Sequence, residues 1–244
     1  MARVRAAAVG VGLCATLLAA GGPAGARPIH DVGRLLVTAT CPQPQPLQVW
    51  RVPVHEAMLT FDDGPNPIYT PIVLRVLARY HVHATFFLVG KNAAAYPGLV
   101  RRIVAGGNVI GNHSWDHADL ATVTPARLAY EIDHTNAVLK AITGTQPCFF
   151  RFPYGAADPA AIAAVNARGM TPYIWTVDTR DWAGASTSLI ESTVWRELSS
   201  HHGAVVLQHD IQGPRSLDAV PAIIAGLRAR GYSFITAAAG RPTP

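Results

Sequence analysis

Two adjacent carboxylates, Asp62 and Asp63, enter a Gly64-Pro65 turn directly after the apolar run Ala57-Met58-Leu59-Thr60-Phe61. Neighbouring side chains on an extended strand point to opposite faces, but a tight turn at the strand end can aim both into one cleft. Carboxylates so placed suit two jobs, holding a cation and taking a proton. The same residues also make an ordinary acidic turn, so the downstream sequence must decide. His113-Ser114-Trp115-Asp116-His117 offers two imidazoles four residues apart, which reach one side of a helical turn and can both ligate a metal. Asp63 would add a hard third ligand, and two histidines plus a carboxylate with an open position make a catalytic zinc-type set. Such a metal brings the pKa of its water to about 7.

Further groups follow in order. Arg151, between Phe150 and Phe152, could pair with a buried carboxylate and keep it ionised. Asp178-Thr179-Arg180-Asp181-Trp182 brings two acids and an indole; one acid could orient a histidine, and Trp182 could wall a sugar or an acyl methyl. Val205-Val206-Leu207-Gln208-His209 ends on the side chain best suited to proton transfer near neutral pH.

Short β-rich runs position these groups: Met58–Phe61, Thr85–Val89, Asn108–Asn112, Phe149–Phe152, Pro172–Val177, Ala204–Gln208 and Ser233–Ile235. Between them lie helical patterns over Tyr69–Tyr80, Pro97–Ala105, Pro125–Ile142, Pro159–Ala167, Leu189–His201 and Leu217–Arg230. The alternation predicts an α/β fold on a parallel sheet, either doubly wound or a (β/α) barrel of about seven strands. Polar residues gather at the C-terminal ends of several strands, where a barrel builds its site.

The chain has 244 residues, half of them hydrophobic and 14% charged, which fits one globular domain with a sizeable core. Residues 1–26 read as a signal peptide: Arg3 and Arg5, an apolar stretch from Ala6 to Ala20, and an Ala24-Gly25-Ala26 cleavage site. An uncleaved N-terminal anchor is the alternative for that stretch. A Pro/Gln-rich segment over 27–53 precedes the expected catalytic domain over 54–240 and a tail over 241–244. Cys41 and Cys148 are most simply one disulfide in an exported protein. Loss of Arg3 and Arg5 takes the formal charge from +5 to +3, and with two lysines and no basic run this excludes a nucleic-acid binder. No stable membrane insertion is expected, and the chain is expected to be a monomer.

Taken together, Thr60–Pro65, His113–His117, Arg151–Tyr154, Asp178–Trp182 and Leu207–His209 resemble the five motifs of the polysaccharide deacetylase (NodB-like) family of carbohydrate esterases. Five separated matches over roughly residues 54 to 237 carry far more weight than one. The resemblance implies a distorted (β/α) barrel and metal-dependent hydrolysis of an acetyl group on a sugar. It implies Asp62 as general base and Asp63, His113 and His117 as ligands of a divalent metal, zinc first, with cobalt or nickel as alternatives. His209 would be the general acid, Arg151 would steady Asp62, and Asp181 rather than Asp178 would tune His209. The Tyr154 amide would face the oxyanion, and Leu207 and Trp182 would hold the acetyl methyl. The expected substrate is N-acetylglucosamine in peptidoglycan. Chitooligosaccharide, N-acetylmuramic acid, acetylxylan and a non-catalytic wall-binding role are the alternatives.

Overall fold

The computed structural model describes Cys41, residues 52–198 and residues 203–237. The expected signal peptide, most of the 27–53 segment and the 241–244 tail lie outside the described residues. Eight short strands form one parallel sheet: β1 (Glu56–Asp62), β2 (Thr85–Leu88), β3 (Val109–Asn112), β4 (Phe149–Phe150), β5 (Thr171–Pro172), β6 (Val177–Asp178), β7 (Ala204–His209) and β8 (Ser233–Phe234). Their order is β5-β4-β3-β2-β1-β7-β6, with β8 pairing the start of β1. Helices cover the outside: α1 (Thr70–Tyr80), α2 (Gly90–Ala95), α3 (Pro97–Ala105), α4 (Pro125–Thr143), α5 (Pro159–Asn166), α6 (Thr187–Leu198) and α7 (Pro214–Ala229).

The strand expected over Pro172–Val177 is divided. Its first part bonds β4, with Phe150 level with Pro172, and its second bonds β7, with Val177 level with Val206. Each half serves a different neighbour, so no single register spans the run, and it breaks around Ile174-Trp175. By crossing from one edge of the sheet to the other, these residues curl it into a distorted (β/α) barrel of seven strand positions. Helix α2 had no counterpart in the sequence reading, because six residues are too few for a helical period to register.

Side chains alternate along the strands as the pleat demands. On β1, Ala57, Leu59 and Phe61 pack outward with Phe86, Leu88 and Val206 beneath the helices. Met58 points the other way and joins Val52, Phe87, Val109, Phe149, Tyr173, Val205 and Ala237 inside the barrel. Thr60 and Asp62 continue that inner row towards the C-terminal rim. Burying each large apolar side chain contributes roughly 1.5–3 kcal/mol, so the lower lumen is a packed core rather than a channel. A disulfide joins Cys41 to Cys148, one residue before β4, at the end of the barrel away from the rim. Closing a loop of 107 residues stabilises the fold by about 5 kcal/mol in the chain-entropy account.

Gly111 on β3 makes room for the inner row: a Cβ there would stand 2.5 Å from the Phe87 ring and 3.1 Å from the Phe149 carbonyl oxygen. Phe87 in turn underlies the rim, beneath the Arg151 guanidinium. Gly111→Ala should therefore destabilise the protein by about 1–3 kcal/mol, as overpacking does, read as a lower midpoint in urea unfolding.

Candidate active site

Parallel pairing brings the C-terminal ends of β1 to β7 to one rim. Asp62 is level with His209 across β1 and β7, and Asn112 is level with Leu88 and Phe150. The residues that follow these strand ends, Asp63, His113 and Arg151, therefore rise at neighbouring points of the same opening. Sequence separations of up to about 150 residues collapse into hydrogen-bonding distance.

Arg151 has no exposure to water. Its guanidinium lies 4.2 Å from the centre of the Phe87 ring and 5.8 Å from that of Trp175. Nη1 donates to Thr60 Oγ1 and to Asp62 Oδ1, both at 2.7 Å. Complete burial pulls the guanidinium pKa below its usual value, and the Asp62 carboxylate opposes that pull. The second Asp62 oxygen, Oδ2, faces His113 Nε2 at 3.8 Å. One oxygen of Asp62 is thus held by a cation and the other turns towards the opening.

Asp63, His113 and His117 converge beside it. The Nε2 atoms of His113 and His117 approach Asp63 Oδ1 at 3.4 and 3.2 Å, and one candidate ligand atom from each residue lies within 4.8 Å of the others. His113 Nδ1 donates to the Arg151 carbonyl oxygen at 2.8 Å, which leaves the Nε2 lone pair free to ligate. Asp63 Oδ1 is buried without a hydrogen-bond donor. An orphaned carboxylate oxygen facing two imidazole nitrogens is a donor set suited to a divalent cation.

His209 stands across the opening with opposite partners. Its Nδ1–H donates to Asp181 Oδ1 at 2.7 Å, and its backbone N–H donates to Asp181 Oδ2 at 2.8 Å. Burial alone would lower the His209 pKa, but the Asp181 carboxylate overrides it and pushes the value up to about 9. Asp178 does not reach His209: its Oδ1 accepts from the Arg180 amide and from Trp182 Nε1. Leu207 is buried on β7, while Trp182 is half-exposed at the rim. Tyr154, with φ of 59°, presents its exposed ring edge-on to His117, centroids 4.6 Å apart.

Several participants carried no signal in the sequence reading. Thr60 stood in the first motif without a role, yet it accepts from Arg151 and donates to the Val206 carbonyl. Ser216, at the start of α7, donates to Asp181 Oδ2. Asp210 is fully buried behind the acidic turn, accepts from Thr70 Oγ1, and is pushed up to about 7 by that burial. A Cβ on Gly64 would stand 2.3 Å from Asp210 Oδ1, which gives that glycine a packing role besides its turn role. Only the proximity of residues distant in sequence reveals these contacts, and no spacing rule encodes it.

Comparison with known proteins places this geometry in context. The sequence model of the polysaccharide deacetylase family matches residues 51–173. A peptidoglycan-N-acetylglucosamine deacetylase of Bacillus cereus is 39% identical over 184 residues, covering 74% of this chain and 66% of that protein. A chitooligosaccharide deacetylase of Bradyrhizobium is 36% identical over 190 residues, covering 72% of this chain and 86% of its own. A crystal structure of a peptidoglycan N-acetylglucosamine deacetylase superposes with a TM-score of 0.74 at 36% identity, covering 78% of this chain and 90% of that one. A match over more than half of the chain, with relatives above 30% identity and a shared fold, leaves one assignment: this chain belongs to the polysaccharide deacetylase family.

Proposed function

We propose that this protein hydrolyses the N-acetyl group of N-acetylglucosamine residues in a cell-wall polysaccharide, peptidoglycan first, and releases acetate. The observation that carries the reading is the pairing of Asp62 and His209, level on adjacent strands, with opposite charge partners beside a three-residue ligand set. Asp62, held through one oxygen by a guanidinium, keeps its other oxygen for a proton. An imidazole fixed by a carboxylate stays protonated and can give one. Such a pair runs acid and base chemistry at one pH.

Asp63, His113 and His117 would hold a divalent cation, zinc first and cobalt or nickel as alternatives. When bound, such an ion supplies Lewis acidity towards a carbonyl oxygen and acidifies water in contact with it. Asp62, through the oxygen not engaged by Arg151, takes the proton of the attacking water. The Tyr154 amide, in its left-handed backbone conformation, donates to the developing oxyanion; one such donor lowers a barrier by about 2.7–4 kcal/mol. His209 delivers its proton to the departing glucosamine nitrogen, which could not leave as an anion. Asp181 keeps His209 charged for that step and fixes its ring, and Ser216 fixes Asp181. Leu207 and Trp182 receive the acetyl methyl.

The relatives' substrates support an extracytoplasmic place of work at the wall, and no described helix is long and apolar enough to cross a membrane. We favour peptidoglycan over chitooligosaccharide, N-acetylmuramic acid and acetylxylan as substrate, and we propose that the chain works as a monomer. Acetate release from peptidoglycan, chitooligosaccharide and acetylxylan, measured in parallel with metal-loaded protein, tests this choice. Peptidoglycan should give the highest kcat/KM, and activity on acetylxylan alone would overturn the substrate.

Two variants test the roles. Asp62→Asn should lower kcat by about 10²–10⁴-fold while bound metal, measured by atomic emission, stays stoichiometric. His113→Ala should lose the metal itself; full occupancy in that variant would sink the ligand set. The pH profile tests the acid. His209 must be protonated, so kcat/KM falls as pH rises through its pKa, near 9. Asp181→Asn removes the group that raises this value, so the alkaline limb should move down towards the ordinary histidine value of 6.5. An unmoved limb would take the acid role from His209.

A further inference from the structure

Between His113 and His117 the chain turns through Ser114, Trp115 and Asp116, and that turn leans on a carboxylate outside all five motifs. Glu131 lies in the second turn of α4 and is fully buried. A carboxylate is almost never buried to that extent unless its charge and lone pairs are answered. Glu131 Oε2 accepts the backbone N–H groups of Trp115, at 2.6 Å, and of Asp116, at 3.1 Å. Its Oε1 lies 2.7 Å from Arg127 Nη2, one helical turn earlier, and the same guanidinium also pairs with the Asp116 carboxylate. Arg127 reaches in from the surface, with 42% of its side chain exposed, so the neutralising charge arrives from the solvent side.

The backbone around this contact is strained. Ser114 and His117, which flank it, both hold φ of 65°, a conformation that L-residues adopt rarely. The outer parts of the turn have other fastenings. Ser114 N–H donates to Asn112 Oδ1 at 2.8 Å and His117 N–H to Ser114 Oγ at 3.0 Å. The carbonyl oxygens of Ser114 and Trp115 accept from the Gly90 and Lys91 amides. The two amides at the centre of the turn go to Glu131. A clamp on those amides sets how far apart the two imidazoles stand and at what angle. No hydrogen bond or ion pair joins either histidine to Glu131, so the effect passes through the backbone.

Resting on the reading of His113 and His117 as metal ligands, we propose that Glu131 is a positioning residue of the metal site, whose carboxylate fixes both imidazoles by holding the Trp115 and Asp116 amides. The competing account is a buried ion pair that stabilises α4 and has no hold on the ligands. Glu131→Met and Glu131→Gln separate the two. Methionine fills the volume without an acceptor, whereas glutamine keeps an acceptor for the amides and loses the ion pair with Arg127. Both should melt at lower temperature than wild type.

Apo-protein titrated with Co²⁺, followed by its visible absorption, reads the site directly. Wild type should bind one equivalent, Glu131→Met should bind roughly 10–100-fold more weakly, and Glu131→Gln should stay within about threefold of wild type. Wild-type affinity in Glu131→Met would overturn the proposal, as would Glu131→Gln binding as weakly as Glu131→Met. If instead wild type binds no Co²⁺, or His113→Ala binds it as tightly as wild type, the ligand reading itself has failed. Where neither Glu131 variant folds, amide hydrogen exchange in the wild-type protein decides. Slow exchange at Trp115 and Asp116 is expected, and exchange at the rate of an open loop would overturn the clamp.

Discussion

A guanidinium sealed inside the barrel is the constraint on which the rest of the rim depends. Arg151 has no contact with water, and taking a charge out of water costs several kcal/mol unless partners answer it. Its answers are the Asp62 carboxylate, the Thr60 hydroxyl and the face of Phe87. The proposed base is therefore also the counter-ion of a buried cation. One of its oxygens is committed to the guanidinium, so the carboxylate cannot rotate away and the other oxygen keeps its aim at the opening. Truncating Asp62 would strand Arg151, which couples the chemistry of this rim to the stability of the lumen beneath it.

The strand register sets that pair beside the proposed acid. β1 and β7 are parallel neighbours with Asp62 level with His209, and both side chains belong to the inner row. A slip of one residue would send Asp62 outward beneath the helices and bring Phe61 or Asp63 to its level. The slip is opposed along the whole strand, because it would also turn Leu59 and Phe61 inward and Met58 outward. Apolar alternation at the bottom of β1 thus fixes polar chemistry at its top. The two charges are kept apart by their second partners: Arg151 stands behind the carboxylate and Asp181 behind the imidazole.

Much of this was legible in the sequence, for reasons that differ by residue. Asp62-Asp63, His113 with His117, and His209 each follow an apolar run, and a strand that ends in polar residues of the right type can be read without coordinates. The Cys41–Cys148 disulfide followed from counting. The strand at Pro172–Val177 was read as continuous because local pattern carries no information about which neighbour each half will bond. α2 was too short for its period to show. Thr60, Ser216, Glu131 and Asp210 escaped because Arg151, Asp181, Trp115 and Thr70, the partners that give them a place near the rim, lie between 16 and 140 residues away in sequence. Asp178 and Asp181 share one segment, and their division of labour rests on a bend: Arg180, with φ of 56°, turns Asp181 towards His209 and leaves Asp178 to Trp182.

That bend belongs to a wider pattern. Among the described residues, seven other than glycine hold left-handed φ, and five of them, Asp63, Ser114, His117, Tyr154 and Arg180, lie at the rim; His55 and His81 do not. Each such residue costs on the order of 1–3 kcal/mol and persists only where its surroundings over-determine it. Here those surroundings can be named for most of them. The Asp63 carbonyl accepts from Asn92 Nδ2, Ser114 N–H donates to Asn112, His117 N–H donates to Ser114, and Arg180 N–H donates to Asp178. In each case a short polar side chain fastens the kink, from two or three residues earlier for Ser114, His117 and Arg180 and from α2 for Asp63. Regular strand geometry would send consecutive side chains to opposite faces, so a rim that brings Asp62 and Asp63 to one side, and the imidazoles of His113 and His117 to one carboxylate oxygen, must break it. The packed lower lumen, the helix layer and the disulfide supply stability at the far end of the barrel, where His55 alone of these left-handed residues lies next to β1. The barrel thus divides its labour along the strand direction, with regular geometry holding the fold and irregular geometry aiming the chemistry.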